Sequence, residues 1–336
     1  MRAAPAAEQR PARGGRGVAR RPQPCPLPQP PPRRGELPQL SRLHCDTGLV
    51  RIGSFAVHPS DPRFAVAGEM LRHEFVFPRT SVRIHRAGAD PFVADPTVVT
   101  YYNRGEPYTR SKASEDGDRC DWFGVEATVL LEAVRSFDPA AEDRPDRPFP
   151  FTHGPSDAAS YRWQRLAVAH AARSEAVDAL FLDELMLRVL GRILGLAFAR
   201  RREVARRAAT NAARARELAG RVQLVLADRY ADPLTLPQLA REVASSPFHL
   251  CRVFREATGV TLARYRHELR LRRALEHTAE PRADLTRVAL DTGFSSHSHF
   301  TAAFKASFGE TPSAFRRAAS GARLAAARER LPQRAI

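Results

Sequence analysis

Lysine is nearly absent from this chain of 336 residues: Lys112 and Lys305 are the only two, so arginine supplies almost all of the 53 basic side chains. That bias reflects GC-rich coding as much as a binding requirement. Cysteine is scarce too. Cys25, Cys45, Cys120 and Cys251 form no CxxC pair and no Cys/His pair at metal-ligand spacing, which removes the zinc-motif reading and fits a reduced cytosol. No long apolar run is free of charge. The most apolar segment, ALFLDELMLRVLGRILGLAFA, carries Asp183, Glu184, Arg188 and Arg192, so it does not read as a membrane span. Prolines interrupt the stretch where a secretory segment would need its apolar region. A cytoplasmic protein without a membrane partner is expected.

Positive charge is in excess, +16 overall, and it is unevenly placed. Residues 1–42 hold nine arginines against two acids, 43–217 hold 25 basic against 24 acidic, 218–317 hold 15 against 10, and the tail from 318 holds four against one. The middle is neutral, and both basic ends are candidates for polyanions. Residues 1–45 contain ten of the 27 prolines and almost no large apolar residue. Such a segment cannot bury enough surface to offset ordering the chain, so it is expected to be a disordered tail. Residues 319–336 are expected to form a second, basic tail. The length allows two or three domains between them.

From Leu234 to Arg317 one pattern is written twice. Displaced by 49 residues, Leu236, Leu239 and Ala240 fall on Leu285, Val288 and Ala289. Displaced by 50, Ser245, Ser246, Leu250, Phe254, Gly259 and Thr261 fall on Ser295, Ser296, Phe300, Phe304, Gly309 and Thr311. The change of offset falls between two helical patterns, so the second copy has a turn one residue longer, at Gly293–Phe294. Each copy reads as a short helix, a tight turn and a second helix, the organisation that places a helix in the DNA major groove. A helix-like stretch, TLARYRHELRLRRALEHT, joins the copies and carries Arg264, Arg266, Arg270, Arg272 and Arg273.

If Leu250, Phe254 and Ala257 face the core, then Phe248, Cys251, Arg252 and Arg255 share the opposite stripe of the first reading helix, with Ser246 at its start. Arg252 has the geometry to grip guanine O6 and N7, and Phe248 and Cys251 to meet thymine methyls. The second copy places Ser298, Thr301, Ala302 and Lys305 on that stripe, with Ser296 and His297 at the helix start. Ala302 stands where the first copy has Arg252, so the first helix is expected to specify sequence. The second is expected to anchor on phosphate through its helix start and Lys305. His297 and His299 are two apart on a helix and point away from each other, against a shared metal ion.

The motifs SPFHLCRVFREATG, RLRRALE, ALDTGFSSHSHFTAAFKASFG and ETPSAFRR resemble the AraC family of bacterial transcription regulators. The resemblance covers about 100 residues, and implies an all-α DNA-binding domain with two helix-turn-helix units at 214–318. It implies base reading at the positions of Phe248, Cys251 and Arg252. It also implies double-stranded DNA as partner, a small-molecule effector, an activator role, and contacts with RNA polymerase and a second copy of the chain.

Short runs rich in β-formers, separated by Gly, Pro, Asp and Asn, occupy residues 45–125. This region looks like the cupin-like β-barrel sensor domain that precedes the DNA-binding part in many AraC relatives, and the domain is placed at 46–175. The expected fold class is therefore α+β and multidomain. Tyr101, Tyr102, Tyr108, Trp122 and Phe123 are candidates to line a ligand pocket in the barrel. A metal-dependent cupin-type enzyme is the alternative, with His73, His85, Glu69, Glu74 and Cys120 as available ligands. No HxH pair occurs between residues 45 and 150, so no metal, cofactor or catalytic residue is assigned. A nonspecific basic DNA-binding protein is a further alternative. Residues 176–213 are expected to be amphipathic dimerisation or linker helices, because Leu182, Leu185, Val189, Ile193 and Leu196 recur at helical spacing.

Overall fold

The computed structural model describes residues 40–173, 179–206, 212–280 and 282–319. The tails 1–39 and 320–336, with Cys25, and the linker stretch 207–211 lie outside the described residues. The first strand begins earlier than the composition suggested, within the segment assigned to the tail. It is β1 (Ser41–Asp46), followed by β2 (Val50–Val57), β3 (Gly68–Glu69), β4 (Glu74–Pro78) and β5 (Val82–Arg86). Next come β6 (Phe92–Ala94), β7 (Val98–Tyr102), β8 (Pro107–Lys112), β9 (Asp118–Val125) and β10 (His153–Pro155). They form two antiparallel sheets, a larger one in the order β1-β2-β9-β4-β7-β10 and a smaller one in the order β3-β8-β5-β6. No ladder joins the two among the described residues, so the expected closed barrel is replaced by two facing sheets.

Strand alternation gives the larger sheet two working faces. Val50, Ile52, Phe75, Phe77, Val99, Tyr101 and Phe123 belong to the main core, beneath helices α1 (Ala127–Arg135), α2 (Ala158–Arg173) and α3 (Ala179–Arg206). Their neighbours in register, Arg51, Glu74, Val76, Thr100, Tyr102, Cys120 and Trp122, turn toward the smaller sheet. Asp157 starts α2, its carboxylate accepting from the N–H of Ser160 at 2.9 Å. In α3 the row Leu182, Leu185, Val189 and Ile193 is fully buried, and the Tyr101 hydroxyl donates to the Ile193 carbonyl at 3.1 Å. These four of the five residues offered by the sequence for dimerisation or linker helices pack within the chain, while the fifth, Leu196, is half-buried. No helix among the described residues is long and apolar enough to cross a membrane.

The C-terminal half is all helical: α4 (Ala212–Arg229), α5 (Leu236–Glu242), α6 (Pro247–Thr258), α7 (Leu262–Thr278), α8 (Leu285–Asp291), α9 (His297–Phe308) and α10 (Pro312–Ala319). The first unit has a core of its own, in which Leu218, Val222 and Leu226 of α4 meet Leu239, Leu250, Phe254 and Tyr265. The second does not. Its Val288, Phe294, Phe300, Phe304, Phe308 and Phe315 are continuous with the core that also holds Phe77, Tyr161 and Leu166 of the β-rich half. Residue 214 is thus a boundary in sequence but not in packing.

Candidate nucleic-acid interface

The duplication extends to the helix ends. Ser246 caps α6 by accepting from the N–H of His249 at 3.3 Å, and Ser296 caps α9 by accepting from the N–H of His299 at 3.1 Å. Gly259 and Gly309 close the two helices in the left-handed region, φ +82° and +81°. The turns differ as the offset requires. Ala244 (φ +51°) and Gly293 (φ +85°) both reverse the chain with positive φ, and the second turn then carries the extra residue. The longer turn brings Phe294 into the core against Phe300, ring centroids 5.3 Å apart. Gly293 must be glycine on two counts, because a Cβ there would also meet the Ala231 carbonyl at 2.6 Å.

On α6, Phe248, Cys251, Arg252 and Arg255 are all exposed, Phe248 at 82%, while Leu250, Val253 and Phe254 are buried beneath. Ala257 is only half-buried, at the edge of that core. An 82% exposed phenylalanine has no folding rationale, and it stands on the stripe assigned to base contacts. Arg252 is engaged: it donates to the Glu256 carboxylate at 3.0 Å and lies 3.4 Å from Nδ1 of His249. The sequence reading omitted Glu256, although its i,i+4 spacing from Arg252 was the signal. Arg255 makes no ion pair among the described residues.

On α9, Ser298, Ala302 and Lys305 are exposed, as are His297 and Ser296 at the helix start. Thr301 departs from the expected stripe. It is half-buried and its hydroxyl is enclosed without a partner, so it lines the seam beneath the helix rather than the reading face. His299 is held by Ser295, Nδ1 to Oγ 3.0 Å, and abuts Phe294. The N–H groups of His297 and Ser298 lie in the first turn, where an α-helix offers them no internal acceptor.

Most of the arginine charge on α7 is spent internally. Arg270 donates to the carbonyls of Tyr230, Ala231 and Asp232, and Arg266 to that of Leu234, tying α7 to the end of α4. Arg272 and Arg273 are buried against the β-rich half, on the carbonyls of Ser156 and Arg79, and Arg273 also pairs with Asp116 at 2.5 Å. Glu276 sits at the centre of this junction. It accepts from Arg79 at 2.5 Å and Tyr161 at 3.0 Å and pairs with Arg165 at 2.9 Å, and Arg165 in turn holds the buried Asp121 at 2.5 Å. Burial works against ionisation of Asp121, but Arg165 and Arg79 outweigh it and hold its carboxyl below the usual range. Arg162 of α2 reaches Glu310 at 2.6 Å, and Tyr265 donates to Asp95.

Between the two sheets lies a cavity of about 690 Å³. Tyr102, Tyr108 and Trp122 line it, as the sequence suggested. Tyr101 and Phe123 do not: one residue out of phase with Tyr102 and Trp122, they face the helices and are fully buried in the main core. Of the residues considered as metal ligands, Glu74 and Cys120 face the cavity. His73 instead accepts from the N–H of Arg104 at 3.1 Å, and His85 is bonded to Ser111 at 2.9 Å. Among the described residues no three His, Cys, Asp or Glu side chains come together as a metal site.

A family model for a helix-turn-helix domain matches residues 239–318. The HTH-type transcriptional regulator GlxA of Rhizobium meliloti (strain 1021) is 40% identical over 85 residues, 25% of this chain and 26% of that protein. The right origin-binding protein of Escherichia coli (strain K12) is 39% identical over 88 residues, 25% of this chain and 29% of that protein. Among solved structures, a transcriptional regulator from Chromobacterium violaceum, described as having an AraC-type DNA-binding domain, is 26% identical. It covers 32% of this chain and 97% of that one, with a TM-score of 0.31. The chain thus spans 26% and 29% of the length of these two curated relatives.

Proposed function

Because residues 239–318 are an AraC-type helix-turn-helix domain, we propose that the chain is a sequence-specific DNA-binding regulator of transcription whose β-rich half senses a small molecule. One observation carries the reading: two duplicated, identically capped helices each present an outer stripe with no role in the core. In the first, Arg252 reads guanine and Phe248 and Cys251 meet thymine methyls, with Arg255 on phosphate. In the second, Ser298 and His297 meet phosphate at the helix start, next to the Ser296 cap, and Lys305 adds a phosphate contact from the last turn. Ala302 offers only a methyl group where the first copy has Arg252, so sequence discrimination rests mainly on α6. The cavity between the sheets is of the size and composition that holds a small effector, in keeping with a cupin-like sensor.

The test is a pair of variants measured on the bound DNA sequence and on random DNA across salt concentrations. Arg252→Ala is expected to cost about 1–3 kcal/mol on the preferred sequence and to relax preference at one position while keeping the salt slope. Lys305→Ala is expected to weaken both DNAs alike and lower the salt slope by about 1. The division of labour is wrong if Ser298→Ala or Ala302→Arg changes sequence preference as strongly as Arg252→Ala.

A further inference from the structure

Two of the aromatic rings that line the cavity between the sheets, Tyr102 and Tyr108, are each paired with an arginine and a carboxylate, the arginines themselves lying outside the lining. Arg86 stacks on Tyr102 at 3.9 Å and lies 3.5 Å from Glu106. Arg110 lies 4.6 Å from the centre of Phe55, pairs with Asp118 at 3.0 Å and donates to the Tyr108 hydroxyl at 2.7 Å. At a third lining ring the set is incomplete. Trp122 and Glu74 both face the cavity on adjacent strands, Glu74 lying opposite Gly124 and Val76 opposite Trp122 in the β4–β9 register. No cation stacks on Trp122 among the described residues, and the Glu74 carboxylate has neither a hydrogen bond nor an ion pair there. Arg51 is engaged with Asp46 at 3.0 Å, and Arg72 is exposed at the rim; both act on Glu74 only at longer range.

The neighbourhood is built to keep this corner open. Gly124 puts no side chain beside Glu74, and only the Arg51 Cβ, at 3.8 Å, and the His73 carbonyl, at 4.0 Å, would meet a Cβ there. The indole of Trp122 lies flat across Gly53, where any Cβ would come within 2.1 Å of the ring, and its N–H is spent on Ser41 at 3.0 Å. Its orientation is therefore fixed by packing and its polar edge is satisfied, leaving the ring to act through its π face. Burial outweighs the longer-range pull of Arg51 and Arg72 and pushes the Glu74 carboxyl up to about 7. A carboxylate beside an aromatic face, in a cavity that also offers Val76, Val82 and Ile84, is the recognition chemistry of a positive group on an apolar body.

Resting on the effector-binding reading of this cavity, we propose that the effector is an organic ammonium: a protonated amine paired with Glu74 and placed against Trp122, with its apolar body between Val76, Val82 and Ile84. The experiment compares three probes of like size on the full chain, by calorimetry and thermal shift: phenethylamine, the neutral 2-phenylethanol and the anionic 3-phenylpropionate. Phenethylamine is expected to bind at least about tenfold more tightly than either of the others, and Glu74→Gln to remove that advantage while keeping whatever affinity the neutral probe has. The comparison on the unaltered chain decides the matter even where Glu74→Gln folds poorly. If 3-phenylpropionate or 2-phenylethanol binds as tightly as the amine, and the cavity-filling Ala94→Phe abolishes that binding, the ammonium assignment is overturned while the cavity remains the effector site. If none of the three binds at millimolar concentration, both are overturned.

Discussion

In its proposed role, Arg252 reaches DNA only by leaving Glu256. The pair is exposed and follows the i,i+4 geometry of a helix surface, so it is worth about 0.2–1 kcal/mol, less than one bidentate base contact. On that reading the competition is expected to go to DNA, but at a cost that the neutral variant removes. Glu256→Gln is expected to tighten DNA binding about two- to fivefold, most at low salt, as read by a binding titration at two ionic strengths. Ala244 is a second residue working against its own chemistry, since a left-handed backbone is costly for any side chain and the matching turn uses Gly293. Ala244→Gly is expected to stabilise the first unit by about 0.5–1 kcal/mol in urea denaturation. Glu74 gives a pH dependence whose sign is fixed by its burial. Its folded pKa of about 7 lies above that of an unfolded glutamate, so its contribution to stability is full in acid and is lost as pH rises through about 7. Glu74→Gln should thus gain stability relative to the parent between pH 5 and pH 8, measured by thermal melts; a constant difference would contradict the placement of this carboxylate.

At the level of elements, α7 is both the connection between the two helix-turn-helix units and the strut on which the β-rich half rests. Glu276 holds two arginines and a tyrosine from that half, and its removal leaves the Arg79 guanidinium without its ion pair. Glu276→Ala is expected to destabilise the chain by about 3 kcal/mol, the scale for breaking a buried ionic cluster, as measured by denaturant titration. None of this was legible in the sequence. The arginines of α7 look alike there, and only the fold separates solvent-facing Arg264 from Arg272 and Arg273, whose partners Ser156 and Asp116 lie more than a hundred residues away. By contrast the helix-turn-helix pair was legible almost to the residue, because caps, core positions and closing glycines are local signals and occur twice. The strands fall between these cases. Their alternation was visible, but helices cover one face and a cavity the other, and both faces are apolar enough that nothing local told Tyr101 from Tyr102. The closed barrel failed for a related reason: strand rhythm reports how many strands there are, not whether the edges of two sheets meet.

Across the whole molecule, cooperativity should follow the cores rather than the order of the chain. Amides of α8, α9 and α10 are expected to exchange with those of α2 and the larger sheet, while α5 and α6 open with α4 as a separate unit. Native-state hydrogen exchange across denaturant concentrations would show two isotherms partitioned in that way; merging of α5–α6 with α8–α9 would contradict it. The shared core also has a bearing on how such a chain can be recombined. A chimaera joined near residue 214 would carry the second unit away from the aromatic and aliphatic surface it was packed against, and would present it to a foreign one. Only the first unit, whose apolar core is separate, is expected to behave as an exchangeable cassette. Retargeting by transplantation is therefore expected to tolerate a graft of α5–α6, and to fail for a graft of both units unless α2 travels with them.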